Sequence, residues 1–205
     1  MEQETLFGTE TTESDTTTHN TSTTIQVLNR YIVSTISSGL LVVDQQRAHE
    51  RILYERFISR STKECISQQI MFPIQCSFSA ADAEIISEIM PELKDMGFEM
   101  NPLGNTVFVI TAIPAEISDG EVQNMLDEMV EDYKNSLMQK FNDKEQSIAL
   151  SMAKQLAVKK GTKLKPEEMQ NIIAQLFSCK IPNTSPFGKK TMIIMKDNEL
   201  TEKFK

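Results

Sequence analysis

The sequence predicts an α+β fold, and three observations carry that prediction. Two short apolar runs near the start, Arg30–Ile36 and Leu40–Asp44, flank a Ser37-Ser38-Gly39 turn signal. Helix-period and strand-period segments then mix without regular alternation. Three amphipathic stretches between Ser118 and Phe177 follow one another with no strand between them. A doubly wound sheet would instead repeat βαβ units. The length of 205 residues suits one large domain or two small ones.

Taken in order, residues 1–24 hold ten Thr, five acids and no Lys or Arg. Such a segment buries too little to offset its chain entropy, so it is expected to be disordered, as the end of a linker. Leu40-Leu41-Val42-Val43 shows no polar alternation, which predicts a strand buried on both faces and ending at Asp44. A helix is expected over 46–59, with Ala48, Ile52, Leu53 and Phe57 inward. Ile70–Phe78 reads as a strand whose Pro73 places it at an edge or a bend. Ser79 and Asp82 open a helix that Pro91 should kink or split and Gly97 should end.

A hairpin follows, from Phe98–Met100 and Thr106–Ile113. Ser118 and Glu121 form a capping-box pattern before Val122, Met125, Leu126, Met129, Val130 and Tyr133, which keep the 3.6-residue period. Further helices are expected over 144–160, ending at Gly161, and from Pro166 through Phe177. Thr191–Met195 reads as a strand and Asn198–Phe204 as a short helix.

Composition excludes several functions. The formal net charge is -8, from 21 basic and 29 acidic residues, so tight autonomous binding to a polyanion is not expected. A local basic patch remains open, from Lys159, Lys160, Lys163, Lys189 and Lys190; by default these are solvated surface. No run of about 18 apolar residues exists, so no membrane partner is expected. The three cysteines, Cys65, Cys76 and Cys179, have no CxxC spacing, which argues against a zinc ribbon or a dithiol motif and fits a reducing compartment. No Gly-rich phosphate loop and no GxSxG elbow occurs.

One segment is shaped for chemistry. Asp44 ends an apolar strand, and acids recur six and eleven residues later, at Glu50 and Glu55. Carboxylates so placed could converge on a hard cation such as Mg²⁺ or Mn²⁺. By spacing alone, the plainer reading is a helix N-cap at Asp44, with Glu50 and Glu55 on a solvated face. His49 reads as a helix-surface residue.

The stretches Leu28–Ile32, Gly39–Gln45 and Ala48–Glu55 resemble the C-terminal domain of the DNA mismatch repair protein MutL. The similarity covers most of Ile25–Lys205 and includes Gly97-Phe98, Ala157–Gly161, and Pro186 with Gly188. It implies a mixed sheet with flanking helices and two subdomains. Residues 25–74 and 150–205 would form the dimerisation subdomain, and 75–149 an external, regulatory one. The family also has an N-terminal ATPase domain behind a long linker, so any ATP dependence would lie there.

Nicking members of the family carry a DQHA-x2-E-x4-E motif. This chain resembles it at Asp44, Gln45, Glu50 and Glu55 and departs at Gln46 and Arg47. The family's other ligand segments align with Ala153-Lys154 and with Ser185-Pro186-Phe187-Gly188-Lys189-Lys190. Lysine, Ser185 and Phe187 thus stand where thiolate and imidazole would be. The resemblance therefore implies a degenerate metal site, with Lys154 pairing with Glu50 or Asp44. The enzyme alternative is a Mn²⁺- or Mg²⁺-dependent nicking endonuclease built on Asp44, Glu50 and Glu55.

Two partner expectations complete the reading. Gln68-Gln69-Ile70-Met71-Phe72-Pro73-Ile74 is similar to the family's sliding-clamp-binding segment, with Gln68, Ile70, Met71, Phe72, Pro73 and Ile74 as contacts. Its plainer reading is an edge strand with Ile70, Phe72 and Ile74 facing the core. The family also pairs through its sheet, so Leu40–Val43 and Thr191–Met195 are expected in a homodimer. The leading function is thus a dimerisation and interaction module. It would reach a mismatch-recognition protein through the full-length protein, and DNA indirectly, in the bacterial cytoplasm near the nucleoid. A generic α+β interaction domain is the remaining alternative.

Overall fold

The computed structural model describes residues 23–60, 67–115, 117–138 and 143–205. The expected linker end lies outside the described residues, apart from Thr23 and Thr24. The architecture is α+β with two separate sheets. The first has strand order β1-β2-β3-β7, from β1 (Thr24–Val27), β2 (Tyr31–Ile36), β3 (Gly39–Asp44) and β7 (Met192–Lys196). The second has order β4-β6-β5, from β4 (Ser67–Ser77), β6 (Val107–Pro114) and β5 (Glu99–Pro102). Every pairing is antiparallel, so neither sheet is mixed as the resemblance implied.

Strand β1 has no counterpart in the sequence reading. Its hairpin to β2 turns on Leu28 and Asn29, both at positive φ (56° and 46°), without a glycine to announce it. Gly39 opens β3 at a φ of +142°, and a Cβ there would lie 2.1 Å from the Met195 carbonyl oxygen. The neighbouring strand can approach only a glycine this closely.

Helix α1 (Gln45–Arg60) joins two cores. Its Ala48 and Ile52 pack with Ile32, Leu41 and Val43 of the first sheet and with Met169, Ile172 and Leu176 of α5 (Pro166–Phe177). Its Leu53 and Phe57 join the larger core. That core lies between the second sheet, α2 (Ala80–Asp95), α3 (Val122–Met138) and α4 (Lys144–Leu156). A short α6 (Asp197–Glu202) closes the described chain.

Strand β3 is not buried on both faces. Leu41 and Val43 are covered by α1 and α5, whereas Leu40 and Val42 are half-buried on the opposite face. The register places Ile25, Val33, Val42 and Ile193 in one row across all four strands of that face. Ile25 is 52% and Ile193 49% exposed.

Three local expectations need correction. α2 runs unbroken through Pro91, because Ile86, Ile89 and Leu93 on either side of it are fully buried. Ser118 forms no side-chain cap; its carbonyl accepts from the Glu121 amide (3.0 Å), closing a 3₁₀ turn before α3. α4 stops at Leu156, short of the expected residue 160, since Ala157 is extended (ψ 140°).

Gly39→Ala is expected to destabilise the fold by about 3 kcal/mol, the upper end for a single strained contact. Hydrogen exchange checks it: the amides of β7 should lose protection before those of β6.

Candidate functional site

The end of β3 and the start of α1 set the site. Asp44 is buried, and its Oδ1 accepts from the Arg47 amide (3.2 Å), capping the helix. Its Oδ2 accepts from Arg30 Nε (3.3 Å) and Nη2 (3.2 Å) and lies 3.6 Å from Arg47 Nε. Arg30 also stacks on the Tyr31 ring at 4.8 Å. The Asp44 backbone amide donates to the Thr191 carbonyl (2.8 Å).

Gln45 is fully buried, and its carboxamide ties together three segments. Nε2 lies 3.1 Å from the Asn29 carbonyl, 3.0 Å from that of Lys159 and 3.1 Å from that of Thr162. Two protons therefore serve three acceptors. Oε1 accepts from Gln26 Nε2 (2.6 Å), and the Gln26 Oε1 accepts from the Leu164 amide (3.1 Å). His49 adds a second tie. Its Nδ1 accepts from the Val158 amide (3.0 Å), which takes the chain out of α4. His49 is thus not a free surface residue. Burial first, and the Arg56 charge second, lower its pKa from 6.5 to about 4, so it stays neutral.

Successive turns of α1 grip residues 180–191. Glu55 accepts from the amides of Lys180 (2.6 Å) and Ile181 (3.1 Å). Arg51 donates from Nε to the Thr184 carbonyl (2.6 Å), and Arg47 from Nη1 to the Lys190 carbonyl (3.1 Å). Arg51 Nη1 also stands 3.6 Å from Glu55 Oε1. The turn held in this way is tight: the Ser185 amide donates to the Lys189 carbonyl (2.7 Å), and Gly188 takes a φ of +73°.

A cleft of about 270 Å³ opens between α1, the end of α4 and this turn. Gln46, Arg47, Glu50, Lys154, Lys160, Phe187 and Lys189 line it. Glu50 is buried, accepts from Gln46 Nε2 (2.9 Å), and has its pKa raised chiefly by burial. Asp44 does not line this cleft. It lines a second one, with Tyr31, Val42, Met192 and Ile193, and Arg47 lines both.

Residues 24–164 match the family model described as the MutL C terminal dimerisation domain. This chain belongs to that family. It is 39% identical over 182 residues to the DNA mismatch repair protein MutL of Flavobacterium johnsoniae, covering 88% of this chain and 28% of that protein. It is 40% identical over 183 residues to MutL of Flavobacterium psychrophilum, covering 89% and 30%. MutL of Chlorobaculum tepidum is 33% identical over 180 residues, covering 87% and 29%. The chain thus spans about three-tenths of the length of the curated MutL proteins that it matches.

Within the MutL C-terminal fold, the donors present fit a divalent cation poorly. Asp44 is occupied by two guanidinium groups, and Glu50 faces a separate cleft. Among the described residues, no group of three or more His, Cys, Asp or Glu side chains is placed to hold a metal ion. Lys154 pairs with neither Glu50 nor Asp44. Its Nζ donates to Asp132 of α3 at 2.8 and 3.0 Å, from the last turn of α4. Nor do Glu50 and Glu55 lie on a solvated face: the first is buried, and the second is engaged by backbone amides. Burial pushes the Cys76 and Cys179 thiols up to about 11, which leaves them poor nucleophiles; Cys65 lies outside the described residues.

The clamp-like segment lies in β4. Gln68 and Gln69 pair with β6, the register breaks, and pairing resumes at Ile74. The interruption turns Met71 (86% exposed) and Phe72 (78%) outward. Phe72 therefore does not face the core, while Ile70 and Ile74 pack against it. Among the described residues, no helix is long and apolar enough to cross a membrane.

The lowered His49 pKa makes a pH prediction. The folded state binds its proton less readily than the unfolded chain, so this contribution is complete above about 6.5 and declines as pH falls toward about 4. Urea melts across that window should show the decline, and His49→Gln should flatten the part of it due to this residue.

Proposed function

We propose that this chain pairs two copies of a MutL protein through the open face of the β1-β2-β3-β7 sheet, as a scaffold without metal-dependent nicking. The row Ile25, Val33, Val42 and Ile193 carries this reading. It is apolar across the full width of a sheet whose other face is packed by α1 and α5. Uncovered apolar surface of this kind marks an interface. A two-fold axis would set each row against its own copy. We assign the first sheet with α1, α5 and residues 180–205 to the dimerisation subdomain, and the second sheet with α2, α3 and α4 to the external one. In a full-length protein the dimer would hold two ATPase domains close enough to meet around DNA and pass on a mismatch signal.

Val42→Glu tests it. The side chain sits mid-row, and the change occurs twice per dimer. The dimer Kd should rise at least about a hundredfold, close to 3 kcal/mol, with circular dichroism unchanged. An unaltered mass by analytical ultracentrifugation would sink the proposed face.

A second reading concerns the β4 interruption, which offers Met71 and Phe72 as two adjacent apolar side chains beside Gln68. We propose that this segment docks into an apolar groove of the replication sliding clamp. Because both side chains are exposed, Met71→Ala with Phe72→Ala should leave the melting temperature unchanged. The same pair should weaken clamp binding by at least tenfold in calorimetry. Equal affinity would assign the two residues to another partner.

A further inference from the structure

The cleft beside α1 is lined mainly by cations. Four of its lining side chains are cationic: Arg47, Lys154, Lys160 and Lys189; Glu50 is the one acid among them. Two of the cations are already engaged, Arg47 with Asp44 and Lys154 with Asp132. Lys160 and Lys189 have no carboxylate partner among the described residues. They reach the cleft from segments that the fold holds firmly. Lys160 lies in the stretch fastened by Gln45 and His49, and Lys189 in the turn fastened by Arg51 and Arg47. Convergence of free cations in a chain of net charge -8 goes against the average surface.

We infer that this cleft is a metal-free binding site for a phosphate group. Lys160 and Lys189 would be its primary contacts, and Arg47 and Lys154 would strengthen its field. The group could be part of a nucleic-acid strand or a free phosphate. Phe187, 39% exposed at the rim, favours the strand, since an aromatic face beside a cationic groove suits a stacked base. The inference rests on the preceding reading only in treating the cleft as no longer a metal centre.

Fluorescence anisotropy of a labelled 20-nucleotide single strand, in EDTA at low salt, tests it on the whole chain. Lys160→Glu with Lys189→Glu should weaken binding at least tenfold. The milder Lys160→Gln with Lys189→Gln should lower the log–log salt slope by about 1.4, two contacts at ~0.7 each. Lys203→Glu with Lys205→Glu makes the same charge change on the exposed last residues, which do not line the cleft, and should cost far less. A parallel arm measures melting with inorganic phosphate. Phosphate that stabilises the parent but not the Lys160/Lys189 variants, with the strand unbound, would keep the site and identify a free anion as its occupant.

Equal losses in the cleft and terminal variants would overturn the inference in favour of general charge attraction. No response to either probe would overturn it too, as would binding that requires Mn²⁺, which would restore the metal reading. Mass measured on the same samples separates the two readings: a monomer that still binds through the cleft would defeat the dimer alone.

Discussion

A fully buried carboxamide has to find its hydrogen bonds inside the protein, and Gln45 finds them in three places at once. An unsatisfied group of this kind costs about 1–3 kcal/mol, and each carbonyl abandoned by it adds to the penalty. The β1–β2 turn, the 159–162 stretch and the first turn of α1 are therefore fixed relative to one another. The geometry around them follows. With His49 drawing the Val158 amide out of α4, the chain passes beneath α1 instead of continuing as a helix. That path carries Lys160 into the cleft. The same tie fixes the β3 end, where Asp44 meets Arg30 and Arg47.

The three acids at the end of β3 and along α1 are each held by a partner within the fold. A carboxylate ligand must be free to face a cation. Here Asp44 is held by two guanidinium groups, Glu55 by two backbone amides and Glu50 by Gln46. Removing one partner of a buried ion pair strands the other charge, so a metal competing for Asp44 would have to displace arginines already in place. Asp44 caps α1, and Glu55 ties it to the 180–181 backbone. Glu55 fastens the start of the 180–191 segment, which leads into β7 and lines the cleft through Phe187 and Lys189.

Much of this was legible in the sequence. The 3.6-residue period located α2, α3 and α5 to within a few residues, and Gly97 ended α2 at a positive φ of 102°. Strand β1 was missed because it is four residues long, adjoins the Thr-rich segment and turns on Leu28 and Asn29 instead of glycine. The end of α4 was missed because helix period says nothing about His49, 109 positions away in sequence. The role of Gln45 was hidden for the same reason, since two of its acceptors lie more than a hundred residues downstream. The resemblance implied a Lys154 pairing with Glu50 or Asp44 because it aligns Lys154 with a ligand position, whereas α3 supplies Asp132 as its partner.

Leu40-Leu41-Val42-Val43 carries the pattern of a strand covered on both sides, yet in one copy Val42 is only half-buried. Both observations hold if a second sheet supplies the missing cover, which makes the apolar run a feature of the pair. The open sheet face and the cationic cleft meet at one residue. Arg47 lines the cleft beside Val42 and Ile193 as well as the cleft beside Glu50 and Lys189, and its bond to the Lys190 carbonyl spans the two. A partner pressed against the sheet would therefore bear on the Asp44–Arg47 pair, and through it on the cleft behind.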